Sequence, residues 1–483
     1  MNTENQAHNY RKWSVKHFGG AELSDIRRVD RAIAIGEAMA AGPGKSLPQM
    51  FAHPYDLKAA YKFFRDPEAT PDNLQSGHRD LVLCEMSTPG RYLLLEDTSE
   101  VHCTSTGEIA GLGPIGSSKK AKIGFHLHSV LSVRWPSVPN QAPPRRPSVE
   151  VLGLADQQYY VRQPRPSVSG SHRSARRVHP VDELESSLWE KSSRRLGPAP
   201  DLDGVFWIKV GDRASDIYDH LVECKKQNHR FVIRANQDRA LVKANGAPAG
   251  KLFETARAIT SCGSLELALR ARKGHPARCA QLEISFTKVL LRAPQVAGKG
   301  PGSRPPIECI AVRVWEPNPP DNVKPLEWVL LTDLEVNNFE QACEIAQFYA
   351  TRWLEEEFHK ALKTGQDAEA LQLTTAHEWF AAIAIKSVAA LRLMEMREQF
   401  NSHPDAPAEA AGLTELELEV LRVRSRKPIL TVREVALAIG RLGGHLNRKR
   451  DGMPGWITLW RGWELLQALV EGALIACKLT KFG

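Results

Sequence analysis

The chain has 483 residues, 42% hydrophobic and 25% charged, with a formal net charge of +8; this is ordinary for a folded soluble protein, too long for one core, and basic enough to favour a polyanionic partner, with about three domains expected at ~150 residues each. The eight cysteines (84, 103, 224, 262, 279, 309, 343, 477) lie far apart without a C-x-x-C pair, which argues against a zinc ribbon or a disulfide framework and for reduced thiols. The longest apolar segment, 379–394, is interrupted by Lys386 and Arg392 and is too short for a bilayer; the first residues lack the apolar core of a signal peptide, so a cytoplasmic protein with no membrane partner is expected.

In chain order, residues 1–75 read as a helical domain. Residues 21–41 carry Leu23, Ile26, Val29, Ile33 and Ala40 at helical spacing, with Gly36 on the same side, and stop at Gly42-Pro43-Gly44. Residues 55–65 predict a second helix, apolar at Ala59, Ala60, Phe63 and Phe64 beside Lys58, Lys62 and Arg65, with a stop at Asp66-Pro67. Basic faces of this kind suit insertion into a DNA groove, although a plain helical bundle has the same pattern.

From Arg91 the period becomes that of strands. Residues 92–95, 124–133 and 149–154 predict three strands, 182–196 a helix, 205–210 a strand, 217–225 a helix capped by Asp216, and 231–235 a fifth strand. Side chains alternate along a strand, so Glu96 and Asp97 face opposite ways and only one can serve a given site. Asp212 follows the fourth strand, and in open α/β sheets the strand ends are where ligands gather. Arg145, Arg146, Arg162, Arg165, Arg173, Arg176 and Arg177 lie in Pro- and Ser-rich stretches that read as loops along phosphates or as solvated linkers. Residues from about 236 to 332 are strand-rich (LELALRAR, ARCAQLEISF, IECIAVRVW, EWVLLT), a β-rich insertion. Beyond Gly365 helices are predicted at 375–400, 413–423, 431–442 and 459–477, a tail of the kind that forms assembly surfaces.

Residues 348–364, FYATRWLEEEFHKALKT, predict one helix with two faces. At about 100° per residue, Tyr349, Arg352, Glu356, Lys360 and Lys363 fall within an arc of about 80°, opposite Leu354, Phe358, Ala361 and Leu362. A solvated amphipathic helix is the plain interpretation. The alternative is a face built for a polyanion and a metal, with one carboxylate among cations and a Tyr hydroxyl. Asp97, Asp212 and Glu356 are the carboxylates this layout can bring together. Three oxygen donors suit Mg²⁺ or Mn²⁺, and two ions about 4 Å apart would serve an in-line phosphoryl displacement without a protein nucleophile.

The phrases LLLEDTSEV, VGDRASDIY and YATRWLEEEFHKALKTG, with the spacing Tyr349-x2-Arg352-x3-Glu356-x6-Lys363, resemble the three active-site segments of bacterial cut-and-paste DDE transposases of the Tyr-Arg-Glu-Lys signature group, the hairpin-forming insertion-sequence transposases. WSVKHFGGAELSDIRR, PGKS at 43–46, AAYKFF and DGMPGWITLWRGWELLQALV resemble the same group, so the likeness spans nearly the whole chain. It implies an α/β protein: an RNase H-like mixed-sheet catalytic core at 76–372 with the β-rich insertion, a helical DNA-binding domain at 1–75 and a helical dimerisation domain at 373–483. It also implies Asp97, Asp212 and Glu356 as the ligands of two Mg²⁺ (or Mn²⁺) ions. Tyr349, Arg352, Lys360 and Lys363 would hold transposon-end DNA by its phosphates, Trp328 would receive a flipped base, and Arg234 would lie near the element's end. Target DNA and a second copy of the chain are the other implied partners.

Two departures stand out. Leu354 and Glu355 replace the spacer residues of the family's best-known member and create a Glu355-Glu356-Glu357 run, in which helical phase turns Glu355 and Glu357 about 100° to either side of Glu356. The Arg- and Pro-rich stretch at 134–177 has no counterpart in the resemblance. Two rival functions have the same residues: a catalytically silent terminal-repeat-binding relative acting as inhibitor, and a recombinase with Tyr349 as covalent nucleophile beside Arg352.

Overall fold

The computed structural model of the chain describes residues 3–51, 53–104, 109–116, 122–136, 149–162, 184–269, 278–295, 304–321, 323, 325–448 and 451–479. Of the basic residues of the Arg- and Pro-rich stretch, Arg145, Arg146, Arg165, Arg173, Arg176 and Arg177 lie outside them. Arg162 is described and is ion-paired to Glu185. The chain is mixed α/β, with helices at both ends of a mixed sheet.

Five helices open the chain: α1 (Thr3–Phe18), α2 (Ile26–Ala41), α3 (Leu47–Met50), α4 (Pro54–Phe64) and α5 (Pro71–Met86). The helix predicted from residue 21 begins later, because the Asp25 side chain accepts from the amide of Arg27 and caps α2 there. Gly36 lets α1 and α2 touch: a Cβ at that position would lie 2.5 Å from the Phe18 ring. The helix α5 follows a Thr70 cap and lies against the sheet, with Gln75 donating to Gln157 at 2.9 Å.

A pair of buried histidines joins these helices to the sheet. The Leu154 amide donates to His78 Nε2 at 3.0 Å, which leaves the proton of neutral His78 on Nδ1, 2.9 Å from Nδ1 of His17. Burial, then the charge of Lys16, pushes His17 down to about 4, and burial holds His78 well below its ordinary value. A histidine depressed on folding contributes stability that is present above about 6.5 and lost as pH falls toward about 4, since the unfolded chain takes up the proton first. Between about pH 7.5 and 5 the parent protein should therefore lose about 2 kcal/mol relative to a His17→Gln variant, which keeps an acceptor but cannot titrate. Urea denaturation of the two across that range checks this; parallel stability curves would contradict it.

The sheet is built outward from β1 (Gly90–His102). It runs antiparallel to β3 (Lys122–Trp135), which pairs with β2 (Gly113–Ile115) and with β4 (Glu150–Tyr160). On its other side β1 runs parallel to β5 (Val205–Gly211), and β5 parallel to β6 (Arg230–Arg234). Between β4 and β5 lies α6 (Leu188–Leu196), and between β5 and β6 lies α7 (Tyr218–Lys226). The segment expected as an insertion contributes β7 (Ala240–Val242), β8 (Pro248–Lys251), α8 (Leu252–Ala258), β9 (Gly263–Leu269), β10 (Arg278–Leu291), β11 (Ile307–Trp315) and β12 (Glu327–Thr332). Its strands continue the same sheet, because β12 pairs antiparallel to β6 with Leu330 opposite Arg234.

Alternation along β1 separates two buried layers. Leu93 and Leu95 pack with Phe348, Leu354 and Phe358, whereas Tyr92 and Leu94 pack on the other face with Leu196, Val205 and Trp207. The single helix expected at 348–364 is instead three pieces: α9 (Phe339–Thr351), α10 (Trp353–Lys360) and a π turn at Ala361–Gly365. The Thr351 hydroxyl donates back to the Gln347 carbonyl at 2.9 Å, and at Arg352, whose amide donates to the Tyr349 carbonyl, the α-helical ladder is interrupted.

The carboxyl-terminal part is helical: α11 (Ala376–Ser402), α12 (Glu415–Ser425), α13 (Val432–Leu442) and α14 (Trp456–Leu479). Buried Trp379, Ile383, Ile385 and Val388 bury α11 on several sides, against α2 and α5 among others. Thr414–Glu417 and Thr431–Glu434 form the capping boxes that start α12 and α13. Among the described residues no helix is long and apolar enough to cross a membrane.

Candidate carboxylate site and nucleic-acid interface

The register of β1 on β5 positions the first two carboxylates. Glu96 opposite Gly211 is the last parallel pair, so Asp97 falls in the middle of β1, where its pairing with β5 stops, and Asp212 falls just past the end of β5. The Thr98 amide donates to Asp97 at 2.8 Å, and the Ala214 amide donates to Asp212 at 2.7 Å. Glu356 comes from α10, which packs over β1. Its two neighbours are committed elsewhere: Glu357 is ion-paired to Arg397, and Glu355 is buried with one oxygen 3.2 Å from His359 Nε2. Only Glu356 of the three is exposed, which is the phase that 100° per residue demands.

One guanidinium joins two of these carboxylates. Arg352 donates from Nη1 to Asp97 Oδ2 at 2.9 Å and from Nη2 to Glu356 Oε1 at 2.8 Å. Burial raises the Asp97 carboxyl above its ordinary range; Arg352 opposes this, and the charges of Asp212 and Glu356 reinforce it. Burial works against the charge on Arg352 too, but Asp97 first, then Tyr349, Glu356 and Asp212, outweigh it and raise its pKa. The same burial holds Glu355 well above the carboxylate range, with Asp97 adding.

The donor chemistry is the right kind for Mg²⁺ or Mn²⁺: carboxylate oxygens, those of Asp212 and Glu356 acting on Asp97 through their charges, with an exposed member. Among the described residues, however, no group of three His, Cys, Asp or Glu side chains is placed to hold a metal ion. The cation between Asp97 and Glu356 is Arg352, so the residues fit the ion chemically once that guanidinium moves.

The other predicted DNA contacts divide. Tyr349, on α9 one turn before Arg352, has its ring edge-on to Trp328 at 5.1 Å between centroids, and its hydroxyl is 3.5 Å from Arg234 Nη1. Arg234 also donates to the Glu327 carbonyl at 3.0 Å. Tyr349, Trp328 and Arg234 thus form one cluster contiguous with Arg352. Lys360 is exposed one turn beyond Glu356. Lys363 leaves the expected stripe: the π turn directs its ammonium to the Glu100 carbonyl and to within 3.7 Å of Glu369.

Asp216 is a correction. It does not cap the following helix, whose N-cap is Ile217; it is buried and accepts from the amides of Asn236 and Gln237 while pairing with Arg239. The buried pair of Glu96 and Lys209, with Ser192 donating to Glu96 at 2.6 Å, escaped the sequence reading. The signal was present: a lysine inside the apolar run VFWIKV must meet a buried partner. That pair fills the face of β1 opposite Asp97.

At the amino terminus, α4 buries Ala60, Phe63 and Phe64 and exposes Tyr55, Lys58 and Lys62 on one face. Arg65 at its end is ion-paired to the buried Glu378 of α11. Residues 10–69 match a family model described as transposase DNA-binding. The match runs from the middle of α1 through α4, and it supports a transposase that binds DNA, a DNA-processing enzyme with DNA as its partner.

Proposed function

We propose that the chain is a DDE transposase of the Tyr-Arg-Glu-Lys group, which binds the terminal repeats of a mobile element, cuts there through a hairpin, and joins the ends to target DNA. The observation that carries this is Arg352 bridging Asp97 of β1 and Glu356 of α10, with Asp212 just past the end of the neighbouring strand β5. The strand order β4, β3, β1, β5, β6, antiparallel and then parallel, supports an RNase H-like core. The transposase DNA-binding match at 10–69 supports the substrate.

In this scheme Asp97, Asp212 and Glu356 would hold Mg²⁺ or Mn²⁺, which supplies an activated water and charge stabilisation at the phosphoryl oxygens. Arg352 and Lys360 would take phosphates of the bound end, with Tyr349 supporting the guanidinium from α9. Trp328, half-exposed beside Tyr349, would offer its ring to an unstacked base. Lys363 would reach a phosphate only by leaving Glu100 and Glu369. The helices α11–α14 would pair two protomers so that each cuts the end held by the other.

The covalent recombinase is disfavoured by Tyr349, which is 7% exposed with its hydroxyl turned toward Arg234 rather than toward solvent. The silent relative differs only in activity. Incubation with DNA from the flanks of its own gene, with and without Mg²⁺, decides: Mg²⁺-dependent nicks and hairpins at a fixed position are expected, and binding without cleavage would favour the inhibitor.

A further inference from the structure

The guanidinium of Arg352 has an unusual post. Its side chain is 14% exposed and lies between Asp97 at 24% and Glu356 at 51%, with one nitrogen for each carboxylate. It stands at the junction of α9 and α10, the C-cap of one and the N-cap of the other. Arginine binds phosphate in the same forked geometry with which it binds carboxylate. A DNA phosphate at this face therefore competes for the group that neutralises Asp97 and Glu356, and losing it leaves those two carboxylates without their shared counter-charge, with the charge of Asp212 acting on Asp97 as well.

We propose that Arg352 is a cation lock: in DNA-free protein it closes the carboxylate site against divalent metal, and DNA phosphate opens the site by drawing the guanidinium away. This rests on the carboxylates being the metal site, as proposed above. By linkage, DNA tightens metal binding and metal tightens DNA binding by the same factor. The consequence is a nuclease that stays unloaded until it holds its substrate.

Mn²⁺ binding followed by electron paramagnetic resonance tests this without any turnover, using full-length protein with and without a short duplex from the flank of its own gene. Wild-type protein should bind Mn²⁺ weakly alone and on the order of 10-fold or more tightly with duplex. Arg352→Gln should bind Mn²⁺ tightly without DNA and gain little from it, and Arg352→Lys should fall between. The lock is overturned if Arg352→Gln, shown folded by circular dichroism, binds Mn²⁺ no better than wild type, or if duplex leaves wild-type affinity unchanged. Asp97→Asn with duplex separates the two ideas: if it loses the Mn²⁺ that wild type binds with duplex while Arg352→Gln shows no gain, the lock is overturned and the carboxylate site stands, whereas undiminished Mn²⁺ binding by Asp97→Asn overturns the carboxylate site itself and the lock with it.

Discussion

Asp97→Asn, Asp212→Asn and Glu356→Gln should each reduce Mg²⁺-dependent nicking of end-bearing DNA by at least about 10³-fold while leaving end binding, measured without divalent metal, within a few-fold. The magnitude follows from the several kcal/mol that metal-assisted charge stabilisation contributes, at about 1.4 kcal/mol per tenfold in rate. The separation of cutting from binding follows from geometry. The three carboxylates stand in mid-β1, just past the end of β5 and on α10, while the family match for DNA binding lies at residues 10–69. Glu355→Gln and Glu357→Gln are the internal contrast. Glu357 serves Arg397, and Glu355 is buried beside His359, so neither should abolish cutting as Glu356→Gln does. Single-turnover cleavage and gel-shift titration of the five variants check this. Undiminished cutting by any one of the first three would remove that residue from the site.

The largest stability effect is expected at Lys209. Its ammonium is fully buried against Glu96 and donates to Ser192 at 2.8 Å, and His220 lies 3.8 Å from the second Glu96 oxygen. Lys209→Met leaves a buried carboxylate without its counter-charge, which costs about 3–5 kcal/mol. Changing both residues, Lys209→Met with Glu96→Gln, removes the stranded charge, so the double variant should recover most of the loss. Chemical denaturation of the two, read at the sheet, distinguishes an ion pair that matters from a tolerated one. Equal midpoints for wild type and Lys209→Met would contradict the assignment. Because Glu96 neighbours Asp97 on β1 with its side chain on the opposite face, the single variant should also impair cutting through displacement of that strand.

How much of this was legible in the sequence depends on the range of the interactions involved. The central strands were legible because apolar runs bounded by turn residues encode burial locally, and 205–210 corresponds to Val205–Gly211 within a residue. The choice of Glu356 among three glutamates needed only helical phase. The interruption at Arg352 was not legible, because it falls inside an otherwise continuous helical pattern. Lys363 was misplaced for a related reason, since the π turn shifts every residue after Ala361 off the 3.6-residue period. Asp216 read as a cap because caps are local, whereas its actual partners, Asn236, Gln237 and Arg239, are brought to it by folding. The continuity of the sheet from β6 into β12 likewise depends on a pairing between segments nearly a hundred residues apart, which no local pattern carries.

The central claim is that these carboxylates, and no tyrosine, perform phosphoryl transfer on DNA. Denaturing electrophoresis of the protein incubated with labelled DNA from the flanks of its own gene tests this most directly, with Mg²⁺ or with EDTA and with detergent added before loading. Free nicked and hairpin strands that vanish with EDTA are the predicted result; strands that stay bound to protein in detergent, or cutting that survives EDTA, would contradict it.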